Sequence, residues 1–134
     1  MYDLIIIGAS AAGLSAGIYA ARRNLNFIIL SKDIGGEVAT SGEIENWPGI
    51  IHTDGIALAR QFHEHAKSYG ITIHDQHDVT AIVQKNNAHV VETVDGNGEK
   101  KSYETKSAII ASGIHPKSLN LPGEKELKGR GITS

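Results

Sequence analysis

The clearest chemistry in this 134-residue chain lies in Gly8-Ala9-Ser10-Ala11-Ala12-Gly13. The segment follows the apolar run Asp3-Leu4-Ile5-Ile6-Ile7 and precedes residues at helical spacing, so it belongs at a strand-to-helix turn. Backbone N–H groups at a helix start have no intrahelical partners, and the peptide dipoles add there, so such a turn suits an anion like pyrophosphate. Gly8 permits a tight turn, while Gly13 and Gly17, on one helix face, let the helix press closely on a sheet. Ser10 replaces the middle glycine of the pattern G-x-G-x-x-G. Its side chain is small enough to admit a pyrophosphate, and its hydroxyl can donate to one. The plainer alternative is that these small residues serve only helix-on-sheet packing. About 20 residues beyond the motif, where such loops place a ribose-binding acid, stands Ser31-Lys32-Asp33. Ser31 is a candidate partner for a ribose hydroxyl, or simply a solvated strand end.

The elements that must position this loop are legible around it. Residues 3–7 read as a strand buried on both faces. Leu14, Gly17, Ile18 and Ala21 follow at helical spacing, and Phe27 to Leu30 form a second strand, which completes a βαβ unit. Residues 33–53 lack a sustained period and read as a long irregular loop. Asp54 is placed to cap a helix with Ile56, Ala59, Phe62, Ala66 and Tyr69 on one face, stopped at Gly70 and leading to a strand at Ile71 to His74. Val79 to Gln84, Val90 to Val94 and Lys100 to Thr105, separated by Asn86-Asn87 and Asp95-Gly96-Asn97-Gly98, predict a three-stranded antiparallel meander. Ser107 to Ala111 then returns to the parallel sheet, and the tail after Pro122 shows no evident element.

Four separated segments resemble one family in one order: GASAAGLSAGIYAARRNL from Gly8, GGEVATSGEIENWPG from Gly35, AIIASG from Ala108, and LPGEKELKGRGITS at the end. They are similar to the N-terminal FAD-binding portion of the low-molecular-weight thioredoxin reductases, a family that includes the flavoprotein subunit of alkyl hydroperoxide reductase. The resemblance implies an α/β fold of glutathione-reductase type: a parallel sheet, flanking helices and an inserted three-stranded antiparallel meander. Residues 1–134 would be the N-terminal segment of that FAD-binding domain, with the C-terminal part of the domain missing. Gly8, Ser10, Ala11, Ala12 and Gly13 would hold the FAD pyrophosphate. Ser31 and Lys32 would lie near the adenosine ribose, Gly36 and Glu37 along the ribityl and flavin region, and Asn46 close to the isoalloxazine. Val79 matches a position whose backbone meets the adenine, and Ala111-Ser112-Gly113 matches the family's A-T-G segment near the cofactor. Glu37 stands where the family usually has glutamine, which brings a carboxylate toward the flavin.

In the parent enzyme the resemblance implies NADPH as reductant of FAD, a Cys-x-x-Cys disulfide reduced in turn, and thioredoxin or a similar redox protein as partner, within a cytoplasmic homodimer. The family's dithiol follows a segment like Lys128-Gly129-Arg130-Gly131-Ile132-Thr133-Ser134, so the dithiol and the NADPH-binding domain are expected outside these residues. This stretch alone is then expected to carry no catalytic residue and to be inactive by itself.

Composition narrows the rivals. With no cysteine, the chain itself has no disulfide, thiolate metal site or thiol nucleophile. Thirteen Lys and Arg against fifteen Asp and Glu give a net charge of −2, and no run of one sign points to nucleic acid or an anionic membrane. Met1-Tyr2-Asp3 lacks the basic start of a signal peptide, and the apolar run after it is too short to span a bilayer. His63 and His65, two apart, do not share a helix face, and His74 and His77 have no third ligand at recognisable spacing, so no metal site is expected. A nicotinamide-dependent dehydrogenase would also use this βαβ loop, but Tyr103-Glu104-Thr105-Lys106 has the wrong spacing for the Tyr-x-x-x-Lys pair of short-chain enzymes. A non-catalytic nucleotide-binding module is the remaining alternative.

Overall fold

β1 (Tyr2–Ala9) is the axis of the computed structural model, which describes residues 1–114 and 122–127. After it come α1 (Ala11–Arg22), β2 (Phe27–Ile34), α2 (Gly36–Thr40), β3 (Glu43–Ile44), β4 (Thr53–Asp54) and α3 (Gly55–Ser68). The chain continues through β5 (Ile73–His74), β6 (His77–Lys85), β7 (Ala88–Asp95), β8 (Lys100–Ile110) and α4 (Glu124–Leu127).

Alternation along β1 divides the core in two, because successive side chains of a strand point to opposite faces. Leu4 and Ile6 pack with Leu14 and Ala20 of α1, Ile29 of β2, Ala66 of α3 and Ile71. Ile5 and Ile7 pack on the other face with Ile28, Leu30 and Val91, and with the half-buried Tyr2, Val79 and Tyr103. Helices therefore cover one face of the parallel strands and the meander covers the other. Ile5, Ile6, Ile29 and Leu30 are wholly buried, each worth about 1.5–3 kcal/mol of transfer free energy.

Six strands form one mixed sheet in the order β5-β2-β1-β8-β7-β6. β1 pairs in parallel with β2 and β8, β2 pairs in parallel with β5, and β6-β7-β8 are antiparallel. The parallel sheet, flanking helices and meander are those expected from the sequence, with one difference. The third meander strand and the returning parallel strand are a single strand, β8, of 11 residues. Thr105 is its pivot, opposite His89 of β7 and Tyr2 of β1 at once. No glycine or proline interrupts residues 100–110, and Lys106, which falls between the two expected strands, stays on the surface with its ammonium 2.6 Å from the Asp3 carboxylate.

Other expectations need adjustment. Residues 33–53 are not wholly irregular: β2 runs to Ile34, Gly35 turns the chain with φ 101°, α2 follows, and β3 pairs with β4. Trp47, in the loop between those two short strands, rests on Phe62 with ring centroids 5.1 Å apart. Asp54 caps α3 as expected, its carboxylate accepting from the Ala57 N–H at 2.8 Å. The buried stripe of α3 is Leu58, Ala59 and Ala66 with Phe62 beside them, while Ile56 and Tyr69 are exposed. α3 packs against both α1 and α2, which turns Leu58 inward, and Tyr69 instead lies against the His65 ring. β5 is shorter than expected, and a short helix, α4, stands in the tail. Residues 115–121 and 128–134, including most of the closing segment that resembles the thioredoxin reductases, lie outside the described residues.

Candidate functional site

A cleft of about 640 Å³ opens at the C-terminal ends of β1, β2 and β8, where an open α/β sheet usually receives its ligand. Four stretches expected from the sequence line it: Gly8, Ser10, Ala11 and Ala12; Ser31 and Lys32; Gly36 and Glu37; Ala111, Ser112 and Gly113. Val79 completes the wall from β6. Residues more than a hundred positions apart in the chain, Gly8 and Gly113, thus face one space.

The phosphate loop is built by close backbone approach. Gly8 has φ 109°, and a Cβ on it would collide with the Ala111 carbonyl, since the chain leaving β8 passes directly beside it. Gly13 does not line the cleft; it sits under it, with the Gly8 carbonyl where its own side chain would be. α1 starts with Ser10 at its N-cap, whose side chain makes no capping hydrogen bond, and the first turn contains no acidic residue. Ala11 and Ala12 line the cleft, and at a helix start their N–H groups have no partner within the helix, which makes this end suited to an anion.

Two serine hydroxyls do different work from that expected. Ser10 Oγ donates to the Gly35 carbonyl at 2.7 Å, while the Gly35 N–H donates to the Ala9 carbonyl at 3.0 Å. The phosphate loop and the turn after β2 are tied together in both directions. Ser31 is buried; its Oγ accepts from the Ala9 N–H at 3.0 Å and donates to the Asp33 carbonyl. Its hydrogen is committed within the protein, so Ser31 shapes the cleft floor.

Asn46 is not brought to the cleft: it is exposed in the loop between β3 and β4. Asp33, Val38, His77 and Asp78 also line the cleft, although the sequence assigned none of them to the cofactor. Asp33 had a signal, since it lies 20 residues after Gly13, at the spacing of a ribose-binding acid. Its Oδ1 accepts from the Gly36 N–H at 3.2 Å. Asp78 had none: it reaches the site because β6 packs beside β2, where its carboxylate stands 3.5 Å from Lys32 Nζ. Both groups are exposed, so this pair contributes at most about 1 kcal/mol. Neither Tyr103 nor Lys106 lines the cleft.

The profile of the pyridine nucleotide-disulphide oxidoreductase family matches residues 2–134. The chain belongs to that family. Within this family it is 36% identical to the thioredoxin reductase of Bacillus subtilis over 134 residues, 99% of this chain and 40% of the relative. It is 38% identical to the thioredoxin reductase of Helicobacter pylori over 140 residues, all of this chain and 42% of that one. Among solved structures, the Lactococcus lactis thioredoxin reductase superposes with a TM-score of 0.84 at 32% identity, over 98% of this chain and 42% of that chain. A ferredoxin-flavin thioredoxin reductase from Clostridium acetobutylicum superposes with a TM-score of 0.76 at 35% identity, over 97% of this chain and 43% of that chain. The chain spans about 40% of the length of the curated relatives it matches. Its fold matches that of the thioredoxin reductase FAD-binding region, and its sequence is homologous to it.

Proposed function

We propose that the cleft holds FAD, and that these residues form the N-terminal part of the FAD-binding domain of an NADPH-dependent, thioredoxin reductase-like disulfide oxidoreductase. The uncapped start of α1, facing a cleft at the ends of three parallel strands, carries this reading. The residues fit such a group in three respects. Ala11 and Ala12 offer N–H groups with no partner within the helix, no acidic side chain opposes a pyrophosphate in the first turn, and Gly8 and Gly13 let backbone pack on backbone to form the loop where side chains would collide.

In this reading Gly8, Ser10, Ala11 and Ala12 surround the pyrophosphate, with Gly13 holding the loop's shape from below. Lys32 and Asp33 take the adenosine ribose, Val79 lies along the adenine, and Gly36, Glu37 and Ala111-Ser112-Gly113 border the flavin side. FAD, when bound, supplies an electron carrier between a nicotinamide and a disulfide. The chain's own residues bind and orient it. The acceptor disulfide, the NADPH site and a thioredoxin-type partner belong to the whole protein, as do a homodimeric state and a cytoplasmic setting. Among the described residues no helix is long and apolar enough to cross a membrane.

Titration of FAD with the purified chain, followed by quenching of flavin fluorescence and repeated against NAD⁺ and NADP⁺, tests the assignment. FAD is expected to bind more tightly than either nicotinamide dinucleotide. Preference for a nicotinamide dinucleotide would refute it.

A further inference from the structure

Three rings meet behind the cleft wall formed by His77, Asp78 and Val79. His74 ends β5, His77 opens β6, and Tyr103 reaches in from β8. The two imidazoles stand edge to face with centroids 5.3 Å apart, and the Tyr103 ring lies 5.9 Å from His74 and 6.4 Å from His77. Only Asp75 and Gln76 separate the histidines, and Gln76 is held at φ 55°. The strand that supplies one wall of the cleft is thus anchored to the parallel sheet through a tight turn and a ring contact.

One bond sets the proton inventory of His77. Its Nδ1 lies 2.8 Å from the Asp75 carbonyl oxygen; a carbonyl only accepts, so Nδ1 carries the hydrogen and Nε2 is a bare lone pair. Nε2 is buried without a hydrogen-bond partner among the described residues. A second proton has only that atom to occupy, where it makes a buried N–H with no acceptor beside the His74 ring.

The surrounding charges offer no relief. Lys101 on β8 is a further cation near His74. Asp95 on β7, opposite His77 in the ladder, gives its carboxylate to Lys101 Nζ at 2.8 Å and to the N–H groups of Asn97 and Glu99. Asp75 accepts from the Gln76 N–H, and Asp78 is paired with Lys32 of β2. Burial first, then His77 and Lys101, hold the His74 imidazole below its ordinary pKa.

We propose that His74 and His77 form a pH-operated latch on the cleft. While both are neutral they hold the Asp75-Gln76 turn and the start of β6 in place; protonating either drives the rings apart, loosens the wall at residues 77–79 and weakens FAD binding. The ligand in this proposal rests on the FAD reading, whereas the movement rests on the ring cluster alone.

Two measurements test it between about pH 8 and about pH 5.5, the span in which histidines titrate. One is FAD affinity, and the other is amide hydrogen exchange of residues 77–79 in the ligand-free protein, corrected for intrinsic rate. The proteins are wild type, His77→Asn, His74→Phe and the double variant. An asparagine amide can still donate to the Asp75 carbonyl, and phenylalanine keeps an aromatic ring against His77. In wild type, FAD is expected to bind about tenfold more weakly at the acid end, with faster exchange at 77–79. Each single variant should show a smaller change, and the double variant one of less than about twofold. Equal pH dependence in wild type and double variant, or a flat wild-type exchange profile, would overturn the latch. Absence of FAD binding at every pH would remove the FAD reading and with it the ligand half of the proposal, while the exchange profile still decides the movement.

Discussion

The carbonyl oxygen of Gly8 occupies the space in which a side chain on residue 13 would begin, so the end of β1 and the first turn of α1 touch backbone to backbone. Neither partner can give way easily, because Gly8 is itself pressed against the Ala111 carbonyl. Gly13→Ala is therefore expected to cost about 1–3 kcal/mol, as overpacking of a fixed backbone does, and to weaken FAD binding by distorting the Ala11 and Ala12 amides. Urea unfolding with and without FAD reads both effects. An unchanged midpoint and affinity would show that the loop does not depend on this contact.

Ser10 sits where the phosphate-loop pattern has glycine, and its hydroxyl ties the loop to Gly35. Ser10→Gly should still fold and bind FAD, with a loss of about 1 kcal/mol in stability for the missing hydrogen bond. Ser10→Ala should lose a similar amount. A tenfold or larger loss of FAD affinity in Ser10→Ala, without matching destabilisation, would instead show the hydroxyl acting on the ligand.

Asp95 closes the turn between β7 and β8. The Lys101 ammonium, followed by the Glu99 N–H, lowers its pKa from 3.8 to about 2. A carboxylate whose pKa is depressed on folding stabilises the protein above its unfolded pKa, and that contribution disappears as pH falls through the folded value. The stability of the wild type should therefore decline between 3.8 and about 2 on this account. Asp95→Asn should be less stable near neutral pH and flatter across that acid window, as read from urea midpoints. A parallel curve for the variant would contradict the assignment.

Glu37 lines the cleft, and its carboxylate lies 3.4 Å from the Thr40 hydroxyl. With FAD bound on the flavin side of the cleft, a negative charge there disfavours the reduced, anionic cofactor. Glu37→Gln should raise the flavin midpoint potential, by about 30 mV if the relieved repulsion is about 1.4 kcal/mol. Potentiometric titration of the bound flavin at neutral pH measures the shift, and no movement would mean that Glu37 does not face the flavin.

The parts of the fold visible in the sequence were those decided by neighbours along the chain. The run Leu4 to Ile7 has no polar face, and both of its faces are buried. The cap at Asp54 and the turns at Asn86 and Gly98, which have φ 54° and 82°, are likewise local chemistry. What escaped was decided by partners far away. Nothing in residues 100–110 announces that Thr105 must satisfy two strands at once, and the exposure of Ile56 follows from two helices packing on α3. The same holds for the site. Its glycines were legible because a turn demands them, whereas Asp78 and His77 arrive through the packing of β6 against β2, and Asn46 stays outside in an exposed loop.

The central claim is that the start of α1 receives the FAD pyrophosphate, and backbone amide NMR of the isotope-labelled protein tests it most directly. On titration with FAD, the largest shifts are predicted at the N–H groups of Ala11 and Ala12, with further changes at Lys32, Asp33 and Val79. Asn46 and the shallow hollow between α1 and α3 at Asn24, Leu25 and Tyr69 should change little. Shifts centred on that hollow, or a spectrum in which Ala11 and Ala12 stay fixed while FAD binds, would contradict the account.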